Sequence, residues 1–116
     1  MDLRFRDHFE NPRGLGELAE VTARVRVVNP ACGDVLDLSV LVKEQRIVDM
    51  RFRARGCSSS IAAASALVER VTGCDVEGAG HVQQRDLEEL IGDLPALSRH
   101  AFDLALEALE QLLRKL

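Results

Sequence analysis

Between Val21 and Ala54 the chain repeats apolar residues at every second position, and after Gly56 that period gives way to helical spacing. No other feature constrains the fold as much, because a period of two builds half-buried strands and a period near 3.6 builds amphipathic helices. Val21, Ala23, Val25 and Val27 alternate with Thr22, Arg24 and Arg26. Pro30 ends that strand, and Ala31-Cys32-Gly33-Asp34 makes a turn. Leu36, Leu38, Val40 and Val42 form a second run against Asp37 and Ser39. Lys43-Glu44-Gln45-Arg46 is a polar turn. The third run predicts Val48, Met50, Phe52 and Ala54 on one face, with Asp49, Arg51, Arg53 and Arg55 on the other. Three strands joined by short turns predict an antiparallel meander with one wet, Arg-rich face.

The flanks read as helices. Residues 2–10 form a short one, with Leu3, Phe5 and Phe9 as its apolar side, and Asn11-Pro12-Arg13-Gly14 breaks it. Past Gly56, the hydroxyls of Ser58, Ser59 and Ser60 offer helix caps. Ile61, Ala64, Ser65, Leu67, Val68 and Val71 mark a stripe, and Gly73 ends that helix. Asp86 to Ile91 predicts a short helix. Pro95 opens the last one, in which Leu97, Ala101, Leu104, Ala105, Ala108, Leu109 and Leu112 keep helical spacing. Strands followed by segregated helices predict an α+β fold, with the helices covering the apolar side of the sheet. The 116 residues suit a single domain spanning 1–116.

Composition excludes several function classes. A net charge of −4 argues against generic nucleic-acid binding, which needs a surplus of Lys and Arg. No apolar run approaches a membrane span, and the start of the chain shows no export signal. Three cysteines is an odd number, which fits a reducing, cytoplasmic setting better than a disulfide framework.

Cys32 lies in the turn between the first two strands, and Cys57 lies between the third strand and a helix start. In a meander those two places share one end of the sheet, so the loops meet at one rim. The helix after Cys57 points free N–H groups at it, which favours an anionic sulfur able to bind metal. The alternative for each cysteine is an inert buried filler. Asp34 reads either as a ligand or as a turn acid making an Asx-type bond. His100, in the first turn of the last helix, reads either as a ligand or as a surface histidine. Cys74 lies at the far end of a helix about 20 Å long and reads as a structural or exposed cysteine. Arg51, Arg53 and Arg55 form either a solvated face or a docking surface for an acidic partner.

These residues carry a resemblance. Asp7-His8-Phe9-Glu10-Asn11-Pro12-Arg13, Asn29-Pro30-Ala31-Cys32-Gly33-Asp34, Phe52 through Ala62, Ala64-Ser65, and Leu94-Pro95-Ala96-Leu97 with His100 appear in order along nearly the whole chain. The chain resembles the NifU/IscU-type iron–sulfur cluster assembly scaffold family. The resemblance implies a three-stranded antiparallel sheet packed against helices, with a short N-terminal and a long C-terminal helix. It implies a non-catalytic scaffold or carrier that takes sulfur from a cysteine desulfurase, holds a nascent 2Fe–2S cluster or zinc at a solvent-facing site, and passes the cluster to acceptor proteins. Its ligand positions carry over as Cys32, Asp34, Cys57 and His100.

There are two departures from the family pattern. The third cysteine of the family pattern falls on Ala101, leaving two thiolates where cluster iron usually takes four sulfur ligands. Cys32, Asp34, Cys57 and His100 then make a plausible tetrahedral zinc set, or the site is shared between two chains, as monomer or homodimer. The Leu-Pro-Pro-Val-Lys stretch of some members, gripped by an Hsp70-type chaperone, survives only as Leu94-Pro95, so that chaperone is not an expected partner. Two alternatives stand beside the scaffold reading. One is a zinc-bound sulfur acceptor that activates a desulfurase; the other is a degenerate paralogue acting as a binding module.

Overall fold

A computed structural model describes residues 2–116. The elements run α1 (Leu3–Glu10), β1 (Ala23–Val28), β2 (Val35–Lys43), β3 (Arg46–Arg55), α2 (Ser58–Val71), α3 (Val76–Ala79), α4 (Gln84–Ile91), a 3-10 turn (Ala96–Ser98) and α5 (His100–Arg114). The three strands form one antiparallel sheet in the order β1-β2-β3. The α+β meander expected from the alternating pattern is the observed architecture.

Register follows from the apolar alternation. Val25, Val27, Leu36, Leu38, Val40, Met50 and Phe52 all face one buried layer. Glu44 and Gln45 close the β2–β3 hairpin with φ of 51° and 63°, the left-handed pair that matches strand twist. One strand position departs from the expected pattern. Ile47 pairs with Val42 and Asp49 with Leu41, so Val48 is an extra residue without a partner on β2. This bulge turns Val48 outward to 42% exposure and brings Ile47 into the core instead.

The outer edge of β3 is covered at two places. Phe52 exchanges backbone hydrogen bonds with Gly14 and Gly16, and Ile47 does so with Gly73 and Cys74. A strand edge left bare would be open to pairing with another chain. Gly14 is required there: its φ is 76°, and a side chain would meet the Met50 carbonyl and the Val68 side chain.

Helix α2 is enclosed by α1, α4, α5 and β3. Ala62, Ala63, Ala64, Ala66, Leu67 and Val71 have no exposed surface, so the helix is buried nearly all round rather than along a stripe. Alanine suits this position because its small side chain lets four neighbours approach closely. Helix α5 buries Phe102, Leu104, Ala105, Ala108, Leu109 and Leu112 where it packs against α2, α4 and the sheet. Leu97, expected on the same stripe, sits in the 3-10 turn ahead of α5 and is 92% exposed. Pro95 opens that turn, and the α-helix itself begins at His100. Helix α3 lies outside the expected elements; Asp75 caps it by accepting from the Gly78 N–H.

Together with Phe5, which packs against the core, a buried polar contact holds helix α1. Its buried residue is His8, while Leu3 and Phe9 are exposed. The Arg13 N–H donates to Ser65 Oγ at 2.8 Å, so the Ser65 hydroxyl proton is free to donate to His8 Nδ1 at 2.7 Å. On its other side, His8 Nε2 lies 3.8 Å from Glu69 Oε2.

Burial, and after it the charge of Arg13, hold the His8 pKa below its ordinary value; Glu69 and Asp7 oppose them. The unfolded chain therefore takes up this proton at higher pH than the fold does. The His8 contribution is fully present above about pH 6.5 and is lost as pH falls below it. Urea midpoints should fall between pH 7.5 and 5.5, and His8→Asn should narrow that difference; an unchanged difference would refute the assignment.

Candidate metal centre

In the antiparallel register Val35 lies opposite Arg55. The residue before one and the residue after the other, Asp34 and Gly56, are therefore neighbours across the rim. Gly56 has φ of 152°, and a side chain there would overlap the Asp34 carboxylate. The missing Cβ is the space in which that carboxylate sits.

The β1–β2 loop is shaped by its own hydrogen bonds. Asn29 Oδ1 accepts from the Ala31 N–H at 2.9 Å, and the Asn29 carbonyl accepts from the Gly33 N–H at 2.8 Å. Gly33 takes a left-handed φ of 77°. This turn leaves Cys32 exposed at the tip and folds Asp34 inward to 6% exposure. On the facing loop, Cys57 caps α2 with extended backbone and without a side-chain cap bond. Ser58, Ser59 and Ser60 thus lie inside the helix and do not cap it.

His100 comes from the start of α5. Its Nδ1 is 3.0 Å from the Leu97 carbonyl, which can only accept, so Nδ1 carries a proton and the ring turns Nε2 toward the rim. Nε2 is buried and has no hydrogen-bond partner among the described residues. It lies 3.6 Å from Asp34 Oδ2. A ring held at Nδ1 by a backbone carbonyl, with Nε2 left without a hydrogen-bond partner, has the orientation of a metal-binding histidine.

Cys32, Asp34 and His100 present ligand atoms that all lie within 4.8 Å of one another. Cys57 is not part of this set. Its Sγ is 3.4 Å from Asp34 Oδ2 and 3.5 Å from Ser60 Oγ. The structure thus gathers all four sequence-derived positions at one rim, three mutually close and the fourth hydrogen-bonded to Asp34. Cys74 lies at the opposite end of β3, beside Ile47, far from this group. Ala101, next to His100, is 1% exposed and belongs to the core.

One contributor escaped the sequence reading. The Ser60 hydroxyl donates to Asp34 Oδ2 at 2.6 Å. The signal for it is helical phase, since Ser60 is the third residue of α2 and side chains lean toward a helix N-terminus. The Ser60 hydroxyl is the largest influence holding the Asp34 carboxyl below the usual carboxylate range; burial opposes it, and Cys57 adds a smaller push in the same direction. Asp34 is consequently an anion beside two sulfurs and the unpartnered Nε2 of His100.

That chemistry agrees with what the chain is similar to. The sequence profile of the NifU-like N terminal domain matches residues 4–115, and the chain belongs to that family. Among its relatives, iron-sulfur cluster assembly scaffold protein IscU 1 of Archaeoglobus fulgidus is 35% identical, over 90% of this chain and 69% of that one. IscU of Aquifex aeolicus is 38% identical, over 89% and 67%. The crystal structure of a nitrogen-fixing NifU-like protein (N-terminal) from Brucella abortus superposes with a TM-score of 0.78, covering 97% of this chain and 90% of that one; its 18% identity speaks for the fold alone.

The glycine at the rim yields a direct test. Gly56→Ala should cost more stability than Gly33→Ala. Both place a side chain at positive φ, but only the first also drives a methyl into Asp34. Backbone strain of this kind costs on the order of 1–3 kcal/mol, and the overlap adds to it. Urea unfolding of the two variants makes the comparison, and equal losses would show that the carboxylate does not depend on this space.

Proposed function

We propose that this chain is an iron–sulfur cluster assembly scaffold or carrier, holding nascent cluster or zinc at Cys32, Asp34 and His100 with Cys57 as the fourth donor. The observation that carries this reading is His100 Nε2: a buried ring nitrogen with no hydrogen-bond partner among the described residues, facing the Asp34 carboxylate next to Cys32. A buried polar atom left unpaired costs free energy, and an electrophilic ligand supplies what it lacks.

The donor set fits such cargo. Two sulfurs, one imidazole and one carboxylate suit tetrahedral zinc, and His can replace Cys on one iron of a 2Fe–2S cluster. Cys32 at an exposed loop tip and Cys57 at an exposed helix start leave the site open to partner proteins. In this reading a cysteine desulfurase supplies sulfur, iron–sulfur acceptor proteins take the product, and the chain turns over no substrate of its own. It works in the cytoplasm as one domain, and no described helix is long and apolar enough to cross a membrane.

Metal and acid-labile sulfide in anaerobically purified protein test the reading, with Cys32→Ala alongside. Iron and sulfide in equal amounts, both lost in the variant, are the expected result. Zinc without sulfide would favour a zinc-bound sulfur acceptor. Absence of any metal after reconstitution would overturn the site.

A further inference from the structure

Four side chains crowd the Asp34 carboxylate, and three of them are candidate ligands. Cys57 donates its S–H to Oδ2, Cys32 approaches the same group, and His100 Nε2 faces it at 3.6 Å. The fourth is Ser60, whose hydroxyl donates to Oδ2 at 2.6 Å. Ser60 is 3% exposed and Asp34 is 6% exposed, so this bond is shielded from water.

The contacts respond differently to loading. A cysteine binds metal as thiolate, having given up the proton with which it donates to Asp34. The Cys57 S–H contact is therefore lost when that sulfur engages. The Ser60 hydroxyl keeps its proton and its bond. Gly56, on the other side of the carboxylate, has no side chain with which to steer it. Among the described side chains that hydrogen-bond or pair with Asp34, only Ser60 is not a prospective donor to the metal.

Resting on the metal-site reading above, we propose that Ser60 is a positioning residue: it sets the rotation of the Asp34 carboxylate through a hydrogen bond that survives metal binding. The hydroxyl of Ser60 therefore serves neither as a helix cap nor as core filler. It makes Asp34 a prepared donor, so that the site does not have to order this side chain when the ion arrives. Removing such an outer partner typically costs about 10–100-fold in metal affinity.

Titration of the full chain with Co2+ tests this, through the visible bands that report thiolate and carboxylate ligation. Ser60→Ala should lower Co2+ affinity by about 10-fold or more and shift those bands. Ser60→Thr, which keeps the hydroxyl, should restore both. In an Asp34→Ala background the further change Ser60→Ala should cost much less than in the wild-type chain, since only the weaker 3.5 Å contact of Ser60 Oγ with Cys57 Sγ remains to be lost, and this separates positioning from general support of α2. Wild-type binding with an unchanged Ser60→Ala affinity and spectrum would overturn the role of Ser60 alone. An equal loss in the Asp34→Ala background would overturn it too, as merely structural. A wild-type chain that binds no Co2+ would overturn the metal site itself, and the role of Ser60 with it.

Discussion

The pairing of Val35 with Arg55 determines where everything at the rim can lie. Because strand side chains alternate between faces, a shift of one residue would move Leu36, Leu38 and Val40 from the core to solvent. The hydrophobic layer thus holds the register, and the register holds Asp34 against Gly56. From that contact the remaining geometry follows. Cys57 is the next residue after Gly56, and Ser60 follows it at the helical spacing that returns its hydroxyl to the carboxylate. The site is an outcome of sheet packing, although none of its residues belongs to a strand.

Helix α2 transmits this order to the rest of the molecule. Its N-terminus carries Cys57 and Ser60, and its alanine-rich body is enclosed on most sides. A helix packed so closely has few ways to shift without opening voids or clashes. The only polar groups buried along its middle and lower turns are satisfied: Ser65 bridges His8 and the Arg13 N–H, which ties α1 and the following loop to the same helix. The surface ion pairs, such as Arg26 with Asp37 on the wet sheet face, add little by comparison, since exposed pairs contribute about 0–1 kcal/mol.

Rigidity at the base contrasts with openness at the tip. Cys32 and Cys57 are exposed, while Asp34, Ser60 and His100 Nε2 are shielded beneath them. Hard oxygen and nitrogen donors lie below, held by hydrogen bonds to Ser60 and to the Leu97 carbonyl, and the sulfurs lie above. This layering suits cargo that must be held in a defined place and yet be reached by another protein. Leu97, almost fully exposed one turn before His100, adds an apolar residue to the same rim.

Much of this was legible along the chain. The change of period at Gly56 determined three strands followed by helices, because alternation and helical spacing are local properties of the backbone. The two cysteine turns, placed at one end of a meander, determined that the loops carrying Cys32 and Cys57 would share one rim. His100 and Asp34 came from family resemblance, since a lone histidine or turn aspartate has no local signature. Tertiary structure decided the rest. Val48 faces solvent because a bulge, visible only in the pairing of two strands, inserts a residue and reverses the alternation. His8, not Phe9, became the anchor of α1 because Ser65, far along the chain, supplies a buried hydroxyl. Ser60 became a partner of Asp34 instead of a helix cap because the carboxylate arrives from another loop at 2.6 Å. In each case a long-range contact outweighed a local preference, and a contact between distant segments has no expression in the period of either.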